Sequence, residues 1–203
     1  MLRTKWIGEQ KVREIYPDVT ILRPTTLFNS IDHNNSPHGK WGYMLKLFNR
    51  TFFQVKGANA LVQPVDAGDV ALAVMNALRL DESAGQVYEL GGPHVYSWNE
   101  LYEELYHVTG VKPYVIPINM ETAMEWSHSP QLSSIYRYLV KYYMYPEFII
   151  GESFDVVTNP DEKSFEDLYI KPVAFAQKAR EYVHDIVWHN RGMIKIEEEK
   201  YVD

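Results

Sequence analysis

The 203-residue chain contains no cysteine, which excludes disulfides and thiolate metal sites. It has no apolar run of the length a bilayer demands, so no segment reads as a transmembrane helix. Basic residues are in the minority: 20 Lys and Arg against 27 Asp and Glu leave a net charge of −7. A phosphate-backbone binder needs a basic face, so nucleic acid is not an expected partner. The N-terminus, Met1-Leu2-Arg3-Thr4-Lys5-Trp6, lacks an apolar signal core, and Glu9 and Glu14 are out of place in an acid-poor transit peptide. No targeting address is visible.

Hydrophobic residues make up 46% of the chain, enough to bury a core. Leu2 to Tyr16 reads as a helix closed by Pro17. Val19 to Leu22 is an apolar, β-branched run suited to a strand buried on both faces. The polar stretch Asp32 to Gly42 is expected to be a surface loop, and Tyr43 to Arg50 a short helix.

The most informative segment is Gln63-Pro64-Val65-Asp66-Ala67-Gly68-Asp69-Val70. It reads as a short strand turning into a helix, with Asp66 placed to cap it and Asp69 adding negative charge to the first turn. Val70, Val74, Ala77 and Leu78 are expected on one face. Val87 to Leu90 is a further strand, ended by Gly91-Gly92-Pro93. Ser97-x-x-Glu100 is a capping-box pattern that Leu101, Leu105 and Val108 continue as a helical stripe. Tyr114 to Ile118 reads as a last strand.

Beyond Asn119 the pattern turns to helices and loops. Leu132 to Met144 is one expected helix and Pro172 to Trp188 another, with Pro172 in its first turn and Phe175, Ala179, Tyr182 and Ile186 on one face. Helices thus alternate with strands and then continue alone, which predicts an α/β fold with an α-helical extension. Four short parallel strands make a poor free-standing sheet, because such sheets need covered faces and paired edges. The chain is therefore expected to complete another sheet.

These residues resemble the extended short-chain dehydrogenase/reductase superfamily and, within it, the atypical accessory subunit of mitochondrial respiratory complex I. Met1-Leu2-Arg3-Thr4-Lys5 lines up with the superfamily's Tyr-x-x-x-Lys. Gly8-Glu9, Val12-Arg13, Ile21-x-Arg23-Pro24-x-x-x-Phe28 and Gln63-Pro64-Val65-x-x-x-Asp69-Val70 continue the match. Glu89-x-Gly91-Gly92-Pro93 resembles the family's strand into Gly-Pro. Phe165-Glu166-Asp167-Leu168-Tyr169-Ile170-Lys171-Pro172 is similar to the subunit's late Glu-Asp-Leu-Gly-Ile segment.

The resemblance implies the C-terminal part of a Rossmann-like fold, lacking the N-terminal nucleotide-binding half. Residues 1–118 would be the dehydrogenase portion, 119–192 a mostly helical extension like a substrate domain, and 193–203 a charged tail. Two departures follow. Met1 stands at the catalytic tyrosine's position, and a thioether cannot donate a proton to a carbonyl. No glycine-rich turn for a pyrophosphate is present, since Pro93 follows Gly91-Gly92 at once.

The implied function is that of a non-catalytic subunit on the matrix side of the mitochondrial inner membrane, among other complex I subunits. A separate chain would supply the dinucleotide-binding half, and the two would share a structural NADPH. Lys5 would hydrogen-bond the nicotinamide ribose, with Pro24, Thr25, Thr26 and Phe28 offering backbone to the ring. Against this stand a solvated helix lysine and an ordinary strand exit with Phe28 as core. The alternative function is an active NAD(P)-dependent reductase or epimerase fragment.

Other chemistry finds less support. His184 and His189 are five apart, off the spacing of a ligand pair, and no element fixes His33 and His38. Ser127 and Ser129 beside His128 lack a hydrolase elbow. The aromatic stretch Ile135 to Tyr145 reads as an interface more than a core helix, because its aromatics go round the helix. Under the resemblance it would touch neighbouring subunits or lipid headgroups.

Overall fold

A computed structural model of the chain describes residues 2–28, 51–55, 60–109, 114–128 and 153–179. The expected loop 32–42, the helices 43–50 and 132–144, the aromatic stretch, the tail and Met1 lie outside these residues.

Helix α1, Leu2–Ile15, is followed by β1 (Ile21–Pro24) and β2 (Thr26–Phe28), two halves of one kinked extended segment. Strands β3 (Thr51–Val55), β4 (Leu61–Val62) and β5 (Pro64–Asp66) lead into α2 (Ala67–Ala77). A 3-10 turn at Asp81–Ser83 precedes β6 (Val87–Leu90) and β7 (Tyr96–Ser97). Then come α3 (Trp98–Thr109), β8 (Tyr114–Ile118), α4 (Met120–His128), a 3-10 turn at Glu166–Leu168 and a helical stretch at 175–179.

Three strand pairs are parallel: β1 with β6, β2 with β5, and β3 with β8. The short β4–β7 pair is antiparallel. Parallel pairing across intervening helices is what the alternating pattern predicts, and the fold is α/β.

The expected strand over 19–22 is displaced by two residues, to Ile21–Pro24. Pairing sets the register, with Ile21 opposite Val87 and Pro24 opposite Leu90. Nor is it buried on both faces: Ile21, Leu22 and Arg23 are half-buried and Pro24 is exposed. Arg23 keeps its guanidinium partly in water among carboxylates, which a fully buried strand would forbid.

Two hydrophobic clusters flank the kinked segment. One joins Phe28, Ala60, Val62, Trp98, Leu101, Tyr102, Phe175 and Ala179. The other joins Val65, Ala73, Tyr88, Leu90, Phe165, Leu168 and Ile170. Residues 153–179 therefore return to complete both clusters. They do so partly through bridges of Val156 to Val62 and Lys163 to Tyr88.

Helix α2 corrects the expected stripe. Val70, Ala73 and Ala77 face the second cluster, while Val74 and Leu78 are exposed. The small alanines let the 3-10 turn at 166–168 approach closely enough for Asn76 Nδ2 to donate to the Leu168 carbonyl at 2.8 Å. Asp66 holds the N-cap position, yet its side chain makes no cap hydrogen bond. The carboxylate leans over Gly68 instead, where a Cβ would meet Asp66 Oδ2 at 2.7 Å.

The capping box before α3 forms as the sequence predicts. Ser97 N–H donates to Glu100 Oε2 at 2.6 Å, and Glu100 N–H returns to Ser97 Oγ at 3.3 Å. Pro172 is not in a first helical turn, because helical backbone begins at 175. The residues before it are drawn to α2, with Val173 N–H donating to Asp69 Oδ2 at 2.7 Å.

Candidate functional site

The ends of β1, β5 and β6 converge on residues 23–28, where ligands bind in open α/β sheets. The expected loop from Pro24 to Phe28 continues instead as strand: Thr26, Leu27 and Phe28 pair with Pro64, Val65 and Asp66. Thr25 sits at the kink, its N–H donating to the Leu90 carbonyl at 3.0 Å and its hydroxyl to the Gln63 carbonyl. Phe28 is 3% exposed, and its ring packs edge-on against Phe175 at 5.0 Å. Its side chain belongs to the core. Pro24 is exposed, while Thr25 and Thr26 are half-buried.

Lys5 is exposed on α1. Of the residues from Arg3 to Ile15, Glu9 and Arg13 alone are not exposed. The helix is thus held by charge more than by apolar burial. Arg23 donates from Nε to Glu9 Oε2 at 3.1 Å and from Nη2 to Glu9 Oε1 at 2.6 Å, a two-pronged geometry that suits guanidinium and carboxylate. Its Nη1 reaches Glu89 Oε1 at 3.2 Å across the β1–β6 pair. The other Glu89 oxygen accepts the Asn159 N–H at 2.8 Å, and Arg13 adds a longer ion pair to Glu9 at 3.7 Å.

This network ties the helix carrying Lys5 to the strand carrying Pro24. The hydrogen bonds from Arg23 hold the Glu9 carboxyl below the usual carboxylate range, against the opposing effect of burial. Glu9 in turn raises Arg23, chiefly through the same hydrogen bonds. Both partners move in the direction of a stable ion pair.

Gln63 forms a second junction. Its Nε2 donates to the Gly92 carbonyl at 2.7 Å, while its Oε1 accepts from Thr158 N–H at 2.9 Å and Thr158 Oγ1 at 3.0 Å. The two glycines after β6 make room for this packing. A Cβ on Gly91 would lie 2.4 Å from Gln63 Cδ, and one on Gly92 would lie 1.8 Å from the Pro64 carbonyl oxygen.

Gly91 and Gly92 therefore admit protein atoms and do not cradle a phosphate. What remains open to solvent here is the Lys5 ammonium and Pro24 at the end of β1. Among the described residues nothing fits the pyrophosphate.

Sequence reasoning missed both junctions. In the sequence Gln63, Glu89 and Arg23 stand as motif letters, and their partners lie 14 to 95 residues away, beyond any local signal. The four-residue spacing of Glu9 and Arg13 was the available signal, since it puts both on one helix face. Asp69 stands in the first turn of α2 and spends a carboxylate oxygen on the distant Val173 N–H. Among the described residues no group of three or more His, Asp or Glu is arranged to hold a metal ion. No described helix is long and apolar enough to cross a membrane.

No protein-family model matches the chain. The chain is 37% identical over 107 residues to the mitochondrial NADH dehydrogenase [ubiquinone] 1 alpha subcomplex subunit 9 of Arabidopsis thaliana, covering 52% of this chain and 26% of that protein. It is 30% identical over 191 residues to the mitochondrial NADH-ubiquinone oxidoreductase 40 kDa subunit of Neurospora crassa, covering 89% of this chain and 44% of that protein. The chain thus spans less than half the length of these relatives.

Among solved structures, the terminal R domain of a myxalamid biosynthetic pathway superimposes with a TM-score of 0.57 at 18% identity. That match covers 94% of this chain and 49% of the other. The dTDP-4-dehydrorhamnose reductase of Bacillus anthracis, solved in complex with NADP, gives 0.56 at 15% identity, with 90% and 54% covered. At such identities these structures speak for the fold alone, that of NAD(P)-binding Rossmann-like proteins. The chain is thus similar in sequence to subunits of mitochondrial NADH-ubiquinone oxidoreductase, respiratory complex I, and it has a Rossmann-like α/β fold.

Proposed function

We propose that the chain is a non-catalytic accessory subunit of complex I on the matrix side of the mitochondrial inner membrane. The observation that carries this reading is similarity to the Neurospora crassa subunit along 89% of the chain. In this reading a separate chain supplies the dinucleotide-binding half and pairs with the open strand edges. The extension over 119–192 is anchored to the dehydrogenase portion through residues 153–179.

The shared cofactor is NADPH, held as a structural element. Bound there, it would supply a hydride-bearing nicotinamide. Lys5 offers its ammonium to the nicotinamide ribose, and the backbone of Pro24, Thr25, Thr26 and Phe28 borders the ring. The side chains of Thr25 and Phe28 are engaged elsewhere, so their part is limited to main-chain atoms. The mitochondrial setting and the neighbouring subunits are carried by the relatives' names, and contact with lipid headgroups by the aromatic stretch Ile135 to Tyr145.

The test is nucleotide content. Protein purified natively is expected to release NADPH on denaturation, and Lys5→Ala to release several-fold less. Turnover of a carbonyl substrate with added NAD(P)H would favour the alternative, an active reductase or epimerase fragment.

A further inference from the structure

Helix α1 buries little apolar surface against the rest of the described fold. Trp6, Val12, Ile15 and Tyr16 are all exposed, so hydrophobic packing does not fix its position. Arg23 ties it to the strands. The guanidinium grips both oxygens of Glu9 with two of its nitrogens and turns the third to Glu89. Glu89 is itself held from behind by the Asn159 N–H, and its Cα pairs with that of Arg23 across the strands.

The side chains of Glu9 and Glu89 are 15% and 20% exposed, that of Arg23 39%. The carboxylates are thus sheltered under the helix while the guanidinium stays partly in water, so screening acts mainly on the Arg23 side. Lysine at position 23 would offer one compact charge and could not bond both oxygens of Glu9 while reaching Glu89.

Lys5 precedes Glu9 by four residues, so the two project from the same helix face, one turn apart. Any rotation or sliding of α1 about the Glu9 anchor moves Lys5 with it. We propose that Arg23 is a positioning residue: through Glu9 it sets the seat of α1, and with it the place of Lys5. The role given to Lys5 rests on the reading above. The seating of the helix does not.

Amide hydrogen exchange on the natively purified chain tests this, comparing α1 with β6 as internal reference. Arg23→Ala, Glu9→Ala and the double variant should each speed exchange in α1 at least ten-fold, by similar amounts, with β6 unchanged. Arg23→Lys should fall between wild type and Arg23→Ala. Lys5→Ala should leave exchange in α1 as it is.

Nucleotide release from the same samples separates the two claims. If wild type carries nucleotide, Arg23→Ala should lose it as Lys5→Ala does. If wild type carries none, the cofactor reading fails while exchange in α1 still decides the seating. Unchanged protection of α1 in both Arg23→Ala and Glu9→Gln overturns the proposal, as does equal loss of protection in α1 and β6.

Discussion

The side-chain amide of Gln63 donates to the main-chain carbonyl of Gly92 at 2.7 Å and leaves no space for a Cβ on the neighbouring Gly91. Its oxygen takes both the N–H and the hydroxyl of Thr158. One side chain thus joins the end of β6 to the returning segment. The space beside the glycine pair is filled by protein.

Substitution at the glycines should therefore harm folding. Gly92→Ala drives a methyl into the Pro64 backbone carbonyl, which cannot swing aside, and should cost about 3 kcal/mol or more. Gly91→Ala meets the Gln63 side chain and should cost less, roughly 1–3 kcal/mol, by breaking its hydrogen bonds. Urea unfolding of the two variants under identical conditions gives the order.

Phe28→Ala should behave as a core truncation. With the ring 3% exposed and stacked edge-on to Phe175, the loss should be about 3–5 kcal/mol. Thermal or urea unfolding measures it. A negligible loss would return Phe28 to the list of surface contacts.

Stability should fall in acid through Glu9. Its carboxyl is held low by the hydrogen bonds from Arg23, so the folded state favours the charged form. That stabilisation is complete above the unfolded carboxylate value of about 4.3 and is lost as pH falls through the lowered folded value. Glu9→Gln should be less stable than wild type at neutral pH and show a shallower decline from about pH 5 downward. Urea midpoints across that range decide it.

Tyr169 is the one described non-glycine residue with positive φ, at 57°, and it is 77% exposed. A left-handed conformation costs an L-residue roughly 1–2 kcal/mol. Glycine loses part of that gain to its greater freedom in the unfolded chain. Tyr169→Gly should stabilise by roughly 0.5–1 kcal/mol, and Tyr169→Ala should change little, as judged by thermal midpoints.

Local signals in the sequence were read well where neighbouring residues decide the structure. The strands Val87–Leu90 and Tyr114–Ile118 and the Ser97–Glu100 box lie where the sequence puts them. Their apolar runs and capping residues are local signals, even though both strands pair with distant partners.

Long-range effects were harder to see. Strand Thr51–Val55 stands beyond the expected helix over 43–50 and owes its place to pairing with β8. The segment around Val156 and Lys163 has no periodic apolar run, yet it joins the sheet through bridges to residues far away in sequence. The strand over Ile21–Pro24 took its register from β6 and its half-buried state from Arg23. The motif letters around the site were legible. The pairing of Arg23 with Glu9 and Glu89, across 14 and 66 residues, was not.

The central claim is that this chain works inside a respiratory assembly, together with a second chain that completes its fold. Native purification of a tagged full chain, with mass spectrometry of co-purifying proteins and released nucleotide, tests it most directly. Recovery of complex I subunits, a chain bearing a glycine-rich dinucleotide turn, and NADPH is the predicted result. A solitary protein that oxidises added NAD(P)H with a carbonyl substrate would contradict it.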